Sequence, residues 1–359
     1  MSVCADDRPA KGRPDVATLT DLAAFDEIID ARSPGEFEED HIPGAVNLPV
    51  LDNEERARIG TLYKQVSPFE AKRQGAALVS RNIARHLEGH FTNKPKAYRP
   101  LVYCWRGGSR SGSLTHVLRS VGWQAAQLSG GYKVYRAAVL ADLDALPDQF
   151  RFVVLCGPTG VGKSRFLRAL AQLGAQVLDL EELAAHMGSV LGAYPERPQP
   201  PQKYFESLVW DALRHFDPAR PIYVESESKR IGNLHTPEML LRRMRESACL
   251  NLEADIPVRV ALLKEEYAHF LGDPTALGRQ LDRLTQLRGR DMVAHWKNLA
   301  LAGQWDELVA ELLERHYDPA YRRSLGSHFL RAPDSPSLVL TAPDPAHILD
   351  QARRALDLT

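Results

Sequence analysis

Residues 151 to 164 read Arg-Phe-Val-Val-Leu-Cys-Gly-Pro-Thr-Gly-Val-Gly-Lys-Ser, and no other stretch constrains the fold as tightly. A short apolar run leads into G-x-x-x-x-G-K-S, a spacing that requires a strand, a tight loop and the start of a helix. Gly157, Gly160, Val161 and Gly162 can then turn their backbone N–H groups around an anion. Lys163 adds a point charge, and Ser164 offers a hydroxyl to a bound Mg²⁺. Phe166, Leu167 and Leu170 have the spacing of a helix face laid against a sheet. The reading is a phosphate-binding P-loop, with ATP or GTP as the ordinary occupant of such a loop.

The chain of 359 residues is long for one core and suggests two domains. Apolar residues make up 44% and charged residues 25%, as in ordinary globular proteins. A formal net charge of −1 excludes a global basic field, so any nucleic-acid contact must come from a local patch. Cys4, Cys104, Cys156 and Cys249 form no C-x-x-C pair and suit reduced thiols in the cytoplasm. The polar N-terminal tail lacks a signal-peptide core, and no apolar run is long enough for a membrane span.

Strand and helix patterns alternate along the chain, which predicts parallel sheets. The first domain is placed at residues 15–146. Its strands are expected at Phe25–Ala31, Leu101–Tyr103 and Gln127–Leu128, and its helices at Asn53–Gln65, Phe69–Leu87, Ser109–Val121 and Tyr132–Leu146. The second domain is placed at 151–359. Strands are expected from Phe152, near Val177–Leu180, Pro221–Glu225 and Val258–Leu262, and at Ser337–Leu340, with a helical region at about 265–325.

Cys104-Trp105-Arg106-Gly107-Gly108-Ser109-Arg110 leaves a buried strand and enters a helix. Inward N–H groups and the helix dipole at such a turn favour a thiolate, with Arg106 and Arg110 adding positive charge. Gly107, Gly108 and Ser109 complete an oxyanion-binding loop around a nucleophilic Cys104. Two chemistries share this pattern. The C-x₅-R spacing is that of phosphatases that attack phosphorus through cysteine, and sulfurtransferases carry sulfur on a cysteine in a similar loop.

Upstream residues choose between them. Asp30-Ala31-Arg32-Ser33-Pro34-Gly35-Glu36-Phe37, followed by His41-Ile42-Pro43-Gly44-Ala45-Val46-Asn47-Leu48-Pro49, resembles the N-terminal signature of rhodanese domains. A rhodanese-like domain joined to a P-loop domain resembles the bacterial tRNA 2-selenouridine synthase family. Further segments carry the likeness: Glu55–Gln65, Gly130-Gly131-Tyr132-Lys133, Glu225–Gly232 and Tyr317–Arg322. The resemblance implies an α/β protein in which a rhodanese-like parallel sheet precedes a P-loop NTPase-like domain with a helical insertion. It implies a transferase that replaces the sulfur of wobble 2-thiouridine in tRNA with selenium from selenophosphate. An S-geranylated intermediate, made from geranyl diphosphate, is implied as well, with the P-loop stabilising the departing diphosphate. The implied partners are that tRNA and an enzyme supplying selenophosphate. No firmly bound cofactor is expected, and Mg²⁺ is a candidate ion at the P-loop. The alternative is an ATP-dependent sulfurtransferase or a kinase-coupled sulfur carrier. A regulatory module with a dead rhodanese site is disfavoured by the presence of Cys104.

Glu225, ending an apolar run, and Asp179 are candidate Mg²⁺ or charge partners of the P-loop. Arg242, Arg243 and Arg245, with Arg279, Arg283, Arg288 and Arg290, make a basic helical region that is a candidate tRNA contact. His86 and His90 lack the glutamate of a zinc helix, so no metal site is expected there.

Overall fold

The computed structural model describes residues 15–189, 191–194, 196–329 and 332–359. The N-terminal tail with Cys4 lies outside them. Residue contacts divide the chain into two units, Met1–Ala141 and Asp142–Thr359.

In the first unit, β1 (Val16–Ala17), β2 (Glu27–Asp30), β3 (Val46–Asn47), β4 (Pro100–Tyr103) and β5 (Ala126–Leu128) form one sheet. Its order is β1-β5-β4-β2-β3, and every pairing is parallel. All four residues of β4 are buried, as a strand covered on both faces requires. Ile29 lies beside Val102 in register, and both join Leu114, Leu118 and Phe91 in one core. Leu114 and Leu118 fall one turn apart on the helix Ser109–Val121, which ends at Gly122 with φ 114°. This helix starts just beyond the carboxyl end of β4, so the chain from Cys104 to Gly108 forms a loop at that edge. Ligands of open α/β sheets bind at such edges.

In the second unit, β6 (Phe152–Cys156), β7 (Gln176–Leu178), β8 (Ile222–Glu225), β11 (Ala248–Glu253) and β12 (Ser337–Val339) pair in the order β12-β11-β6-β8-β7. These pairings are also parallel, while β9 (Arg230–Ile231) and β10 (Leu234–His235) form a separate antiparallel pair. β6 is central and wholly buried. Phe166, Leu167 and Leu170 of the helix Lys163–Gln172 pack into the core with Val153, Leu155 and Leu250, as their spacing predicts. Helices between β11 and β12 gather a second core around Trp296, Leu281 and Leu308. Trp296 is fully buried, and its indole N–H donates to Glu311 Oε2 at 3.1 Å.

One element differs from the sequence reading. The run Val258–Leu262 is part of a helix, Ile256–Glu266, and the central-sheet strand is instead Ala248–Glu253. Asp255 at the N-cap and a proline in the first turn start a helix there. Val258 and Leu262 are one helical turn apart, so a short apolar run fits either period. The helical region therefore begins at Ile256, and Gly272, Gly289 and Gly303 fall between its helices. Among the described residues, no helix is long and apolar enough to cross a membrane.

Candidate anion-binding sites

Cys104 is 3% exposed at the end of β4 and opens onto a pocket of about 350 Å³. Trp105, Arg106, Gly108, Ser109 and Arg110 form the rest of its wall. The loop is held from behind by the Gly130-Gly131 turn. Tyr132 N donates to Cys104 O at 2.8 Å and Lys133 N to Trp105 O at 3.0 Å. Gly131 has φ 56°, and a Cβ there would overlap the carbonyl of Cys104, so glycine is required.

The same domain holds a buried ion pair. Arg32 binds Asp30 at 2.6 Å and also donates to the carbonyl of Asp40. The Tyr132 ring stacks on its guanidinium, 4.0 Å from centroid to Cζ. Arg32 of the signature segment thus packs on Tyr132, whose backbone N–H holds the cysteine loop.

Arg106 is exposed, whereas Arg110 turns to Glu36 at 2.7 Å, with Arg56 3.4 Å away. Burial of Glu36 is outweighed by these two guanidinium groups, which hold its carboxyl down at about 2. Much of the Arg110 charge is therefore committed to Glu36. Sequence reasoning passed over Ser111, which directly follows Arg110. Its hydroxyl donates to Cys104 Sγ at 3.0 Å, and Gln127 of β5 donates to Ser111 Oγ at 2.7 Å.

In the second unit the P-loop connects β6 to the helix Lys163–Gln172. Gly160 and Gly162 take φ 78° and 89°, and a Cβ on Gly160 would collide with Leu263. Lys163 Nζ lies across the loop and donates to Gly157 O at 3.0 Å. The loop lines a cleft of about 1060 Å³ that also takes in Arg168, Glu181, Glu227 and Tyr321.

Glu181, rather than either acid singled out from sequence, reaches the loop. Ser164 donates to its Oε2 at 2.7 Å. Asp179 instead caps the helix Leu180–Leu183 by accepting from Glu182 N. Glu225 is 1% exposed; one oxygen accepts from Glu181 N at 2.9 Å, and the other has no hydrogen-bond partner among the described residues. Burial, then the negative charges of Asp179 and Glu181, push the Glu225 carboxyl well up. Burial and Glu181 likewise raise Glu227 to about 8. Among the described residues, no group of three His, Cys, Asp or Glu is arranged to hold a metal ion. Arg259, another residue missed from sequence, buries its side chain between Asp318 at 2.6 Å and the carbonyl of Thr159 at 2.7 Å. It ties the P-loop backbone to the helical region.

The cleft meets an apolar pocket walled by Leu191, Leu263, Phe270, Leu277, Trp305 and Leu312. Thr159, Ser189, Leu263, Tyr267 and Tyr317 line both spaces. Ser189 Oγ and Tyr267 OH are hydrogen-bonded at 3.1 Å on that shared wall.

The candidate tRNA-contacting arginines do not form one cluster. Arg243 donates to Phe150 O and Arg242 lies 3.8 Å from Asp148, both just before β6. They sit at the sheet edge opposite the P-loop, which follows β6, and Arg245 shares their helix. Arg279, Arg283 and Arg290 are exposed on the helical region, and Arg288 there donates to His316, which lines the P-loop cleft.

Comparison with known proteins places both loops in recognised domains. Residues 15–138 match the model of the rhodanese-like domain, and residues 150–277 match that of the tRNA 2-selenouridine synthase AAA domain. The tRNA 2-selenouridine synthase of Nitrosomonas europaea is 34% identical over 71% of this chain and 67% of its own. That of Bdellovibrio bacteriovorus is 36% identical over 67% of this chain and 64% of its own. The match to that of Marinobacter nauticus, 32% identical, runs over 86% of this chain and 91% of the relative.

Proposed function

Since the chain belongs to the tRNA 2-selenouridine synthase family, we propose that it replaces sulfur with selenium in wobble 2-thiouridine of tRNA by two successive reactions, one at each loop. Geranyl diphosphate is the alkylating substrate and selenophosphate the selenium donor, made by a separate selenophosphate-forming enzyme.

The observation that carries this reading is the meeting of the P-loop cleft with an apolar pocket along a shared wall. A nucleotide puts a polar base and ribose beyond its phosphates. A diphosphate with a hydrocarbon tail instead matches the P-loop N–H groups and Lys163 with Leu191, Phe270 and Leu312 close by. In the first reaction the thiocarbonyl sulfur attacks C1 of the geranyl group, the C–O bond breaks, and diphosphate leaves with the electron pair. Lys163 and the N–H groups from Gly160 to Ser164 stabilise the charge that develops on it. Mg²⁺ fits Ser164 and Glu181, since it binds through one or two carboxylates and substrate phosphates and keeps several waters. It would neutralise further diphosphate charge there.

Selenium in selenophosphate is already reduced, so transfer to Cys104 as a perselenide would leave electrons unbalanced. Cys104 thiolate instead attacks phosphorus, the P–Se bond breaks, and selenide departs with the pair. Selenide adds to C2 of the geranylated base and expels geranylthiolate, a far better leaving group than a thiocarbonyl sulfur. Water then hydrolyses the S–P bond and restores Cys104. The exposed arginines of the helical region, Arg283 and Arg290, are the tRNA phosphate contacts this reading favours over Arg242, Arg243 and Arg245.

Calorimetric titration tests the carrying observation. Geranyl diphosphate should bind at least tenfold more tightly than ATP. Dimethylallyl diphosphate should bind more weakly than geranyl, because each CH₂ lost from an apolar pocket costs about 0.8 kcal/mol. Tighter binding of ATP, with its hydrolysis, would favour the nucleotide-dependent sulfur carrier.

A further inference from the structure

Cys104 accepts a hydrogen bond from a buried side-chain relay that the scheme above does not use. Ser111 is fully buried in the first turn of the helix Ser109–Val121, and its hydroxyl is 3.0 Å from Cys104 Sγ. A second acceptor, Gly108 O, lies 3.3 Å from the same hydroxyl. Gln127 decides between them. Its amide donates to Gly108 O at 3.0 Å and to Ser111 Oγ at 2.7 Å. The carbonyl is thereby already supplied with a donor, and the serine oxygen already accepts a hydrogen bond. The one hydrogen that Ser111 has to give is left for sulfur.

We propose that Ser111 is the positioning residue of the nucleophile, donating the hydrogen bond that holds Cys104 as a thiolate, and that Gln127 fixes its direction. A sulfur anion accepts such a bond far more strongly than a neutral thiol does, so the bond favours the ionised form. Arg110, the charged neighbour expected to do this, is engaged by Glu36. The proposal does not depend on which electrophile Cys104 attacks, so it can fail while the functional reading stands.

The test is alkylation of Cys104 in the full chain by iodoacetamide, followed by peptide mass so that other cysteines do not count. Ser111→Ala should slow the reaction about tenfold at pH 7, the scale of a lost hydrogen bond to a charged group. At pH 10, where the thiol ionises regardless, the variant should equal or exceed the wild type. Ser111→Thr should restore most of the rate at pH 7, and Gln127→Ala should show a smaller slowing with the same pH pattern. Arg106, the Arg110–Glu36–Arg56 cluster and the Asp30–Arg32 pair are unchanged throughout, so the difference isolates the hydroxyl. Equal rates at pH 7, or equal slowing at both pH values, would overturn the proposal. Should Ser111→Ala fail to fold, as judged by circular dichroism, Gln127→Ala carries the same test, and an unchanged rate there would overturn it.

Discussion

Replacing Glu227 by glutamine should flatten the pH dependence of anion binding at the P-loop. Glu227 is 8% exposed, and burial together with the Glu181 charge raises its carboxyl to about 8. It is therefore about nine-tenths neutral at pH 7 and about nine-tenths ionised at pH 9. Because the complex can keep the proton, one carboxyl titrating at about 8 weakens anion binding by at most about tenfold between pH 7 and pH 9, or about 1.4 kcal/mol. Titrating the full chain with inorganic pyrophosphate at pH 7 and pH 9 reads this directly. The ligand's own ionisation cancels when wild type and Glu227→Gln are compared. Stability should follow the same sign. A carboxyl raised in the folded state favours folding below its unfolded value and loses that contribution as pH rises through about 8. The wild type should thus lose about 1.4 kcal/mol relative to the variant between pH 7 and 9. Parallel binding curves for the two proteins would refute the reasoning.

Three other substitutions probe the scaffold. Arg259→Met leaves Asp318 without its buried partner and should cost about 3 kcal/mol in urea denaturation; an unchanged midpoint would remove Arg259 as the tie between P-loop and helical region. Gly188→Ala forces a side chain onto a backbone at φ 64°, with its Cβ under 3.0 Å from carboxylate oxygens of Glu181 and Glu227. The backbone strain alone is about 1–2 kcal/mol, so the melting temperature should fall by about 3–6 °C, and no fall would place Gly188 elsewhere. Glu36 stabilises the fold above its unfolded value, and that contribution is lost as pH falls towards about 2. The stability gap between wild type and Arg110→Ala should therefore narrow from pH 6 to pH 3, whereas a constant gap would show that the ion pair is not its source.

The backbone of both sites was legible because glycine and charge patterns fix it. The helices Ser109–Val121 and Lys163–Gln172 follow their glycine-containing loops as their periodicity demands. Ala248–Glu253 was hidden for a different reason: it continues directly from a charged helix, Glu238–Glu246, and its polar Asn251 breaks the apolar run of a buried strand. Val258–Leu262 misled because five apolar-rich residues carry no period of their own. Side-chain partners were the least legible. Asp179 and Glu181 both follow β7 closely, and only the short helix Leu180–Leu183, which Asp179 caps and Glu181 belongs to, decides that the second reaches Ser164. Gln127 and Ser111 belong to different elements, and no spacing in the chain announces their hydrogen bond.

The central claim is a division of labour between the two loops, and the masses of nucleosides from tRNA bearing 2-thiouridine test it most directly. The full chain is supplied with geranyl diphosphate and selenophosphate, separately and together. The wild type should give geranylated thiouridine with the first alone and 2-selenouridine with both. Lys163→Ala should leave 2-thiouridine unchanged, while Cys104→Ala should stop at the geranylated nucleoside. Selenouridine formed by Cys104→Ala, or unchanged thiouridine in every wild-type reaction alongside ATP hydrolysis, would contradict the account.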